Sequence, residues 1–111
     1  MLAITLPVSA QAPLVRQRVE LEGVEYVLET AWNGRASVWV AALSDAEEAS
    51  IRSGLQLRRG VPLLRGLADS RRPAGELVVT GRVEEVGIDS FENGDAELVY
   101  FTATEIEELL A

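Results

Sequence analysis

Carboxylates are the side chains of this sequence best equipped for chemistry, and four groups of them stand close together: Asp45/Glu47/Glu48, Glu84/Glu85, Asp89/Glu92/Asp95 and Glu105/Glu107/Glu108. Two carboxyls held at a fixed separation in a cleft, one of them kept protonated, can perform glycosidase-type acid–base hydrolysis. Every group here falls in a turn-rich or terminal stretch, and a chain of 111 residues leaves little room for such a cleft. Solvated faces are the expectation. The run Asp89-Ser90-Phe91-Glu92-Asn93-Gly94-Asp95 has the outline of a calcium loop, with its glycine after Asn93. Phe91 stands where an oxygen ligand belongs, and no glutamate closes the loop at the right distance. Trp32 and Trp39 flank an Asn33-Gly34 pair, and two rings on a hairpin could stack a sugar or a base. Their bulk predicts core or subunit-interface packing instead.

What the composition lacks excludes more chemistry than its motifs suggest. There is no Cys, no His and no Lys, so structural disulfides, thiolate nucleophiles, Cys/His zinc sites, Ser-His-Asp triads, Lys Schiff bases and P-loops are all ruled out. Ten Arg against eighteen Asp plus Glu give 10 − 18 = −8. A surface this acidic repels phosphate backbones unless arginines cluster. The clusters Arg16/Arg18, Arg58/Arg59 and Arg71/Arg72 are short, lie among carboxylates or apolar residues, and carry no interleaved aromatics. They read as solvated or interface arginines, with no nucleic acid as partner. The absence of Cys fits a reducing compartment. No apolar run approaches the roughly 20 residues a membrane span requires. Met1 to Ala12 has a small-x-small triplet at Ala10-Gln11-Ala12, but it lacks a basic start and is broken by Pro7. It reads as a first strand and a connector rather than a secretory signal.

The elements that would position these residues are strands. Val15, Gln17, Val19 and Leu21 alternate with Arg16, Arg18, Glu20 and Glu22, which predicts a half-buried strand. A Glu22-Gly23 turn leads into Val24, Tyr26, Leu28, Thr30 and Trp32, again alternating, so the two runs form a hairpin. Asn33-Gly34 predicts a second hairpin through a type I′ turn, followed by a strand from Ser37 to Leu43. In the next segment Ser44-Asp45-Ala46-Glu47 fits a capping box, which predicts a loop with one helical turn before a strand over Ile51–Arg58. Pro62 restricts 60–64 to a sheet edge or strand start, with Leu63 and Leu64 closing one end of the core. Residues 65–75 and 87–95 read as loops, Glu76–Arg82 and Ala96–Ala103 as strands. Thr104-x-x-Glu107 predicts a capping box opening a short C-terminal helix. The fold class is therefore all-β in a single domain, a small antiparallel sandwich or barrel with a short C-terminal helix.

One ordered set of residues is more specific than any of these motifs. Tyr26-x-Leu28-x-x-x-Trp32-Asn33 precedes Trp39 on the next strand, then Gly54-Leu55-x-Leu57-x-x-Gly60-x-Pro62-Leu63-Leu64, and finally Glu97-Leu98-Val99-Tyr100. Over roughly Gln17 to Tyr100 this resembles the small baseplate plug family of contractile-tailed phages. The chain departs from that pattern at 44–53, rich in Ala and Glu where related chains have a tight Asp-Gly turn, and in its acidic extension from Thr104. The resemblance implies a non-enzymatic virion component assembled in the host cytoplasm. It implies packing in a tail baseplate against hub and tube proteins and against copies of itself, with strand edges available to neighbours. Trp39, Leu63, Leu64 and Tyr100 are expected to be structural, and no catalytic, cofactor-binding or metal-ligating residue is assigned. The alternative reading is a small soluble carbohydrate- or peptide-binding module using the Trp32/Trp39 hairpin; a carboxylate-dependent hydrolase is a third.

Overall fold

The structure, a computed structural model, describes residues 2–6 and 14–110, the side chains of 109 and 110 excepted. The connector proposed before residue 13, with Ala10-Gln11-Ala12, lies outside the described residues. Among the described residues, seven strands and two short helices follow in the order β1 (Leu2–Ile4), β2 (Leu14–Leu21), β3 (Val24–Asn33), β4 (Val38–Asp45), β5 (Ser50–Gln56), β6 (Glu76–Gly81), α1 (Ser90–Asn93), β7 (Ala96–Phe101) and α2 (Ala103–Leu110). Strands β2-β3-β4-β5 form an antiparallel meander, and β1-β7-β6 form a second antiparallel sheet. The sheets do not close on each other, so the molecule is an open sandwich rather than a barrel.

Alternation in the sequence translates directly into the two faces of the meander. Register pairs Gln17 with Leu28, Leu28 with Leu43, Thr30 with Ala41 and Trp32 with Trp39, which puts these residues on one face. Leu28, Thr30, Trp39, Ala41 and Leu43 are buried there. From the second sheet Ile4, Leu77, Val79, Leu98 and Tyr100 join the same core, and Leu57 and Leu64 from the crossover fill it. Leu64 is fully buried and Leu63 packs beside it, as the sequence leads one to expect. The crossover runs along the outer edge of β6: the Gly60 N–H donates to the Val79 carbonyl and the Leu63 N–H to the Leu77 carbonyl. Pro62, lacking an N–H, sits between these two bonds, where it interrupts no ladder.

The turns correct the sequence reading. Glu22 and Gly23 both have positive φ, 53° and 82°, and close Leu21 against Val24 as a type I′ turn does. Asn33-Gly34 does not form one. Asn33 is the last residue of β3, paired with Val38, and residues 34–37 make a four-residue loop. The Asn33 carboxamide oxygen accepts from the N–H groups of Arg35 and Ala36, 3.1 and 3.2 Å away, and so caps the loop instead of entering it. Ser37, not Gly34, takes the left-handed conformation. Gly34→Ala is therefore expected to raise stability by about 0.4–1 kcal/mol by restricting the unfolded chain. A urea midpoint shifted downward would restore the type I′ reading.

The capped helical turn at Ser44 is also absent. β4 continues through Asp45, whose carboxylate accepts from the Glu47 and Ala49 N–H groups at 3.0 and 2.9 Å, and Glu48 adopts φ 65°. A side chain that satisfies two turn N–H groups stabilises a tight hairpin over a helical start. Strand β5 then carries two register shifts, which opens room for Gly54 at φ 72°. Gly87–Asp95 contains the one-turn helix α1, closed by Gly94 in the left-handed conformation. At the C-terminus the capping box is Thr102 with Glu105, each side chain accepting from the other's backbone N–H, two residues before the predicted pair. Strand β7 consequently ends at Phe101 rather than Ala103.

Candidate interaction surfaces

Each sequence-predicted carboxylate group is either anchored locally or exposed. Asp45 is held by its own turn and by the Arg71 guanidinium at 3.1 Å, Glu48 by Arg16 and Asp95 by Arg82. Glu84, Glu85, Glu92, Glu107 and Glu108 are exposed. Hydrolysis by a carboxylate pair needs one carboxyl raised. Asp45 is instead lowered, chiefly by the Ala49 N–H and then by Arg71, and Asp69 is lowered to about 2 by the Arg71 side chain and N–H. A depressed carboxyl contributes stability above its ordinary value near 4, and that contribution fades as pH falls from about 4 to about 2. Asp69→Asn is expected to flatten this part of the acid limb in a plot of Tm against pH. An unchanged slope between pH 5 and 2 would contradict the pairing.

In the calcium-loop candidate, Phe91 turns into the molecule, edge-on to Trp39 at 6.3 Å, and Asn93 caps the Asp95 N–H. No group of three or more His, Cys, Asp or Glu poised for a metal occurs among the described residues. Trp39 is wholly buried and donates its indole N–H to the Gly87 carbonyl at 3.1 Å. It cannot meet a ligand. Trp32 is half-buried and packs edge-on against it, ring centroids 5.5 Å apart.

Two arginines that looked solvated are structural. The Arg72 guanidinium donates to the carbonyls of Leu64, Leu67, Pro73 and Gly75 and so ties the 65–75 loop into one body. Arg71 bonds Asp69, Asp45 and the Ser50 carbonyl, which pins that loop to the β4–β5 turn. Nothing in the spacing marks Arg72 for this work, because carbonyl partners carry no sequence signature. Arg16 and Arg18 pair across the outer sheet face with Glu29, Glu48 and Glu25.

Beneath the loop lies a partly buried polar knot. The Tyr100 hydroxyl donates to the Glu22 carboxylate and accepts from the Gly75 N–H at 2.8 Å, joining the β2–β3 turn, β7 and the entry to β6. Burial, with the Glu22 hydrogen bond second, raises the Tyr100 phenol above its ordinary value. Burial and the Glu22 charge raise Tyr26 as well. These are the two tyrosines of the chain. A raised phenol contributes stability fully below about pH 10 and loses it above. Phenolate absorbance is thus expected to appear only with unfolding, in one cooperative step. A gradual rise centred near pH 10 in the folded protein would contradict both placements.

The β2–β3 turn, the β4–β5 turn and the 65–75 loop meet at one end of the sandwich around an open cleft of about 510 Å³. Leu21, Val24 and Tyr26 give it an apolar wall, and Glu22, Glu25, Asp45, Glu47, Arg71 and Arg72 surround them. The strand edges, by contrast, are blunted. β2 lines its edge with Arg16, Arg18 and Glu20, β5 is bulged, β1 has three residues, and the 57–63 crossover covers β6. Such edges discourage strand addition. Among the described residues, Leu2, Leu14, Val24 and Val61 are the large apolar side chains left exposed.

These features define a small structural β module, a sandwich whose burial and hydrogen bonding serve to hold its own shape. Over residues 3–104 the sequence matches the family described as cyanophage baseplate Pam3 plug gp18. The chain belongs to this family and is thereby a structural component of a phage tail baseplate. The match takes in the 44–53 hairpin and stops as α2 begins. A search of the curated proteins finds no match. No helix among the described residues is long and apolar enough to cross a membrane.

Proposed function

We propose that the protein acts by protein–protein assembly at the plug or hub region of a contractile tail baseplate, against tube and hub proteins. It is present in more than one copy in the assembled particle, put together in the host cytoplasm. It performs no catalysis and engages neither nucleic acid nor membrane. The observation that carries this reading is the family match across nearly the whole domain. Several structural features support it: the exposed apolar side chains Leu2, Leu14, Val24 and Val61, the depressed carboxyls, and arginines already engaged by carboxylates or carbonyls.

Peptide mass spectrometry of purified tail-like particles tests it. The protein is expected to co-sediment with sheath and tube proteins at a constant ratio, which also gives its copy number. Intact particles that lack it would overturn the reading. A carbohydrate- or peptide-binding role would then rest on Trp32 alone, since Trp39 is buried, and would show as ligand quenching of Trp32 fluorescence.

A further inference from the structure

The cleft at the turn end of the sandwich combines three properties that together specify an occupant. Its wall is preorganised, because the Arg71 and Arg72 guanidiniums fix the 65–75 loop through eight hydrogen bonds to side-chain and carbonyl oxygens. A rigid wall lowers the ordering cost of binding. Its floor is apolar, with Leu21 and Tyr26 buried and Val24 52% exposed although it sits opposite Leu21 on the inward face of β3. That exposure leaves a large apolar side chain in water on a face where Tyr26, Leu28 and Thr30 are buried.

The rim is acidic: four carboxylates against two guanidiniums among the lining residues, 2 − 4 = −2. Both guanidiniums are committed to the protein itself, and Glu25 is paired with Arg18. Glu47 has no ion-pair or hydrogen-bond partner for its carboxylate among the described residues, and it stands exposed at the tip of the β4–β5 turn. An apolar floor under a free carboxylate suits a side chain with an aliphatic stem and a cationic head. Another copy of this chain is a poor candidate, since each copy carries −8 and two copies repel.

We propose that this cleft is a docking point for a basic segment of a different tail protein, an arginine or lysine whose stem lies on Val24 and Tyr26 and whose head meets Glu47. The proposal rests on the assembly reading given above and adds to it the surface and the partner's chemistry.

Two experiments test it on the intact chain. In the first, the ¹⁵N-labelled protein is titrated with N-acetyl-arginine amide, with N-acetyl-norleucine amide and N-acetyl-glutamate amide as comparisons. Saturable amide shifts confined to Val24, Tyr26, Ala46 and Glu47 are expected with the arginine probe, weakening in salt, with the norleucine probe weaker and the glutamate probe silent. Glu47→Arg should weaken the arginine probe about threefold to fivefold. Shifts that do not saturate, that the glutamate probe reproduces, or that keep their full affinity in Glu47→Arg would overturn the proposal.

The second experiment measures incorporation into tail particles of Glu47→Arg, Val24→Asp and the exposed control Glu92→Arg. Each variant is first matched to the unsubstituted protein in circular dichroism and Tm. Glu47→Arg and Val24→Asp are expected to be depleted several-fold and Glu92→Arg to be retained. Full retention of all three beside the unsubstituted chain would reject the cleft while leaving the baseplate role intact, whereas absence of the unsubstituted chain itself would reject that role. Self-association of the purified protein that Glu47→Arg abolishes would show a second copy in the cleft and equally overturn the basic partner.

Discussion

Trp39→Ala is expected to cost about 3–5 kcal/mol of folding stability, the usual range for truncating a buried tryptophan. The indole is fully buried at the start of β4 and is among the largest side chains in the core. It packs edge-on against both Trp32 and Phe91 and donates its N–H to the Gly87 carbonyl. It therefore joins the meander to the segment carrying α1, and its removal leaves a cavity and an unpaired carbonyl together. A domain of this size has about 5–15 kcal/mol in total, so the variant should be partly unfolded at modest urea. Trp39→Phe separates the two effects: it fills much of the volume and leaves the Gly87 carbonyl without its donor, at about 1–3 kcal/mol. Urea unfolding of both variants beside Trp32→Ala checks the assignment. A Trp32→Ala cost equal to or above that of Trp39→Ala would mean that the buried and half-buried rings have been exchanged.

Gly75→Ala is the second large effect, expected at about 2–5 kcal/mol. The reason is proximity rather than backbone conformation. A Cβ on Gly75 would lie 1.9 Å from the Phe101 carbonyl oxygen and 2.7 Å from the Tyr100 hydroxyl. The backbone carbonyl cannot swing aside as a flexible side chain can, so β6 and β7 must separate at their first pair, Glu76 with Phe101. That displacement also lengthens the bond from the Gly75 N–H to Tyr100 and loosens the hold of Tyr100 on Glu22. The measurement is the urea midpoint with the m value unchanged. Gly34→Ala, where the added carbon would find only the Trp32 indole nitrogen at 3.8 Å, serves as the counterpart. Equal costs at the two positions would show that the close approach of Gly75 to β7 does not exist.

Most of the architecture was legible because period-two alternation is a strong signal. Val15 through Leu21 and Val24 through Trp32 announce both the strands and their buried faces, and the ordered Trp32, Trp39, Gly60-x-Pro62-Leu63-Leu64 and Leu98-x-Tyr100 set announces the family. Turn chemistry was less legible, because two mechanisms compete at the same residues. Asn33 can accept positive φ or cap a longer loop with its carboxamide, and Asp45 can follow a helical cap at Ser44 or close a hairpin itself. In both places the side-chain hydrogen bonds prevailed, since strand pairing on either side had already fixed the loop length.

The cleft proposed as a docking point was the least legible part. Its residues come from three turns distant in sequence, and its rigidity depends on Arg72 meeting four carbonyls, which no residue pattern encodes. The open strand edges implied by the family resemblance are likewise altered by context: β5 acquires its bulges and β6 its covering segment only once the chain is folded.

A cryo-electron microscopy reconstruction of purified tail particles tests the central claim most directly. A two-sheet sandwich of this fold is expected in the baseplate, contacting tube or hub protein, with the cleft beside Val24 and Glu47 filled by a basic side chain of a neighbour. A complete baseplate map whose every domain is assigned to other proteins, with no density for this sandwich, would contradict it.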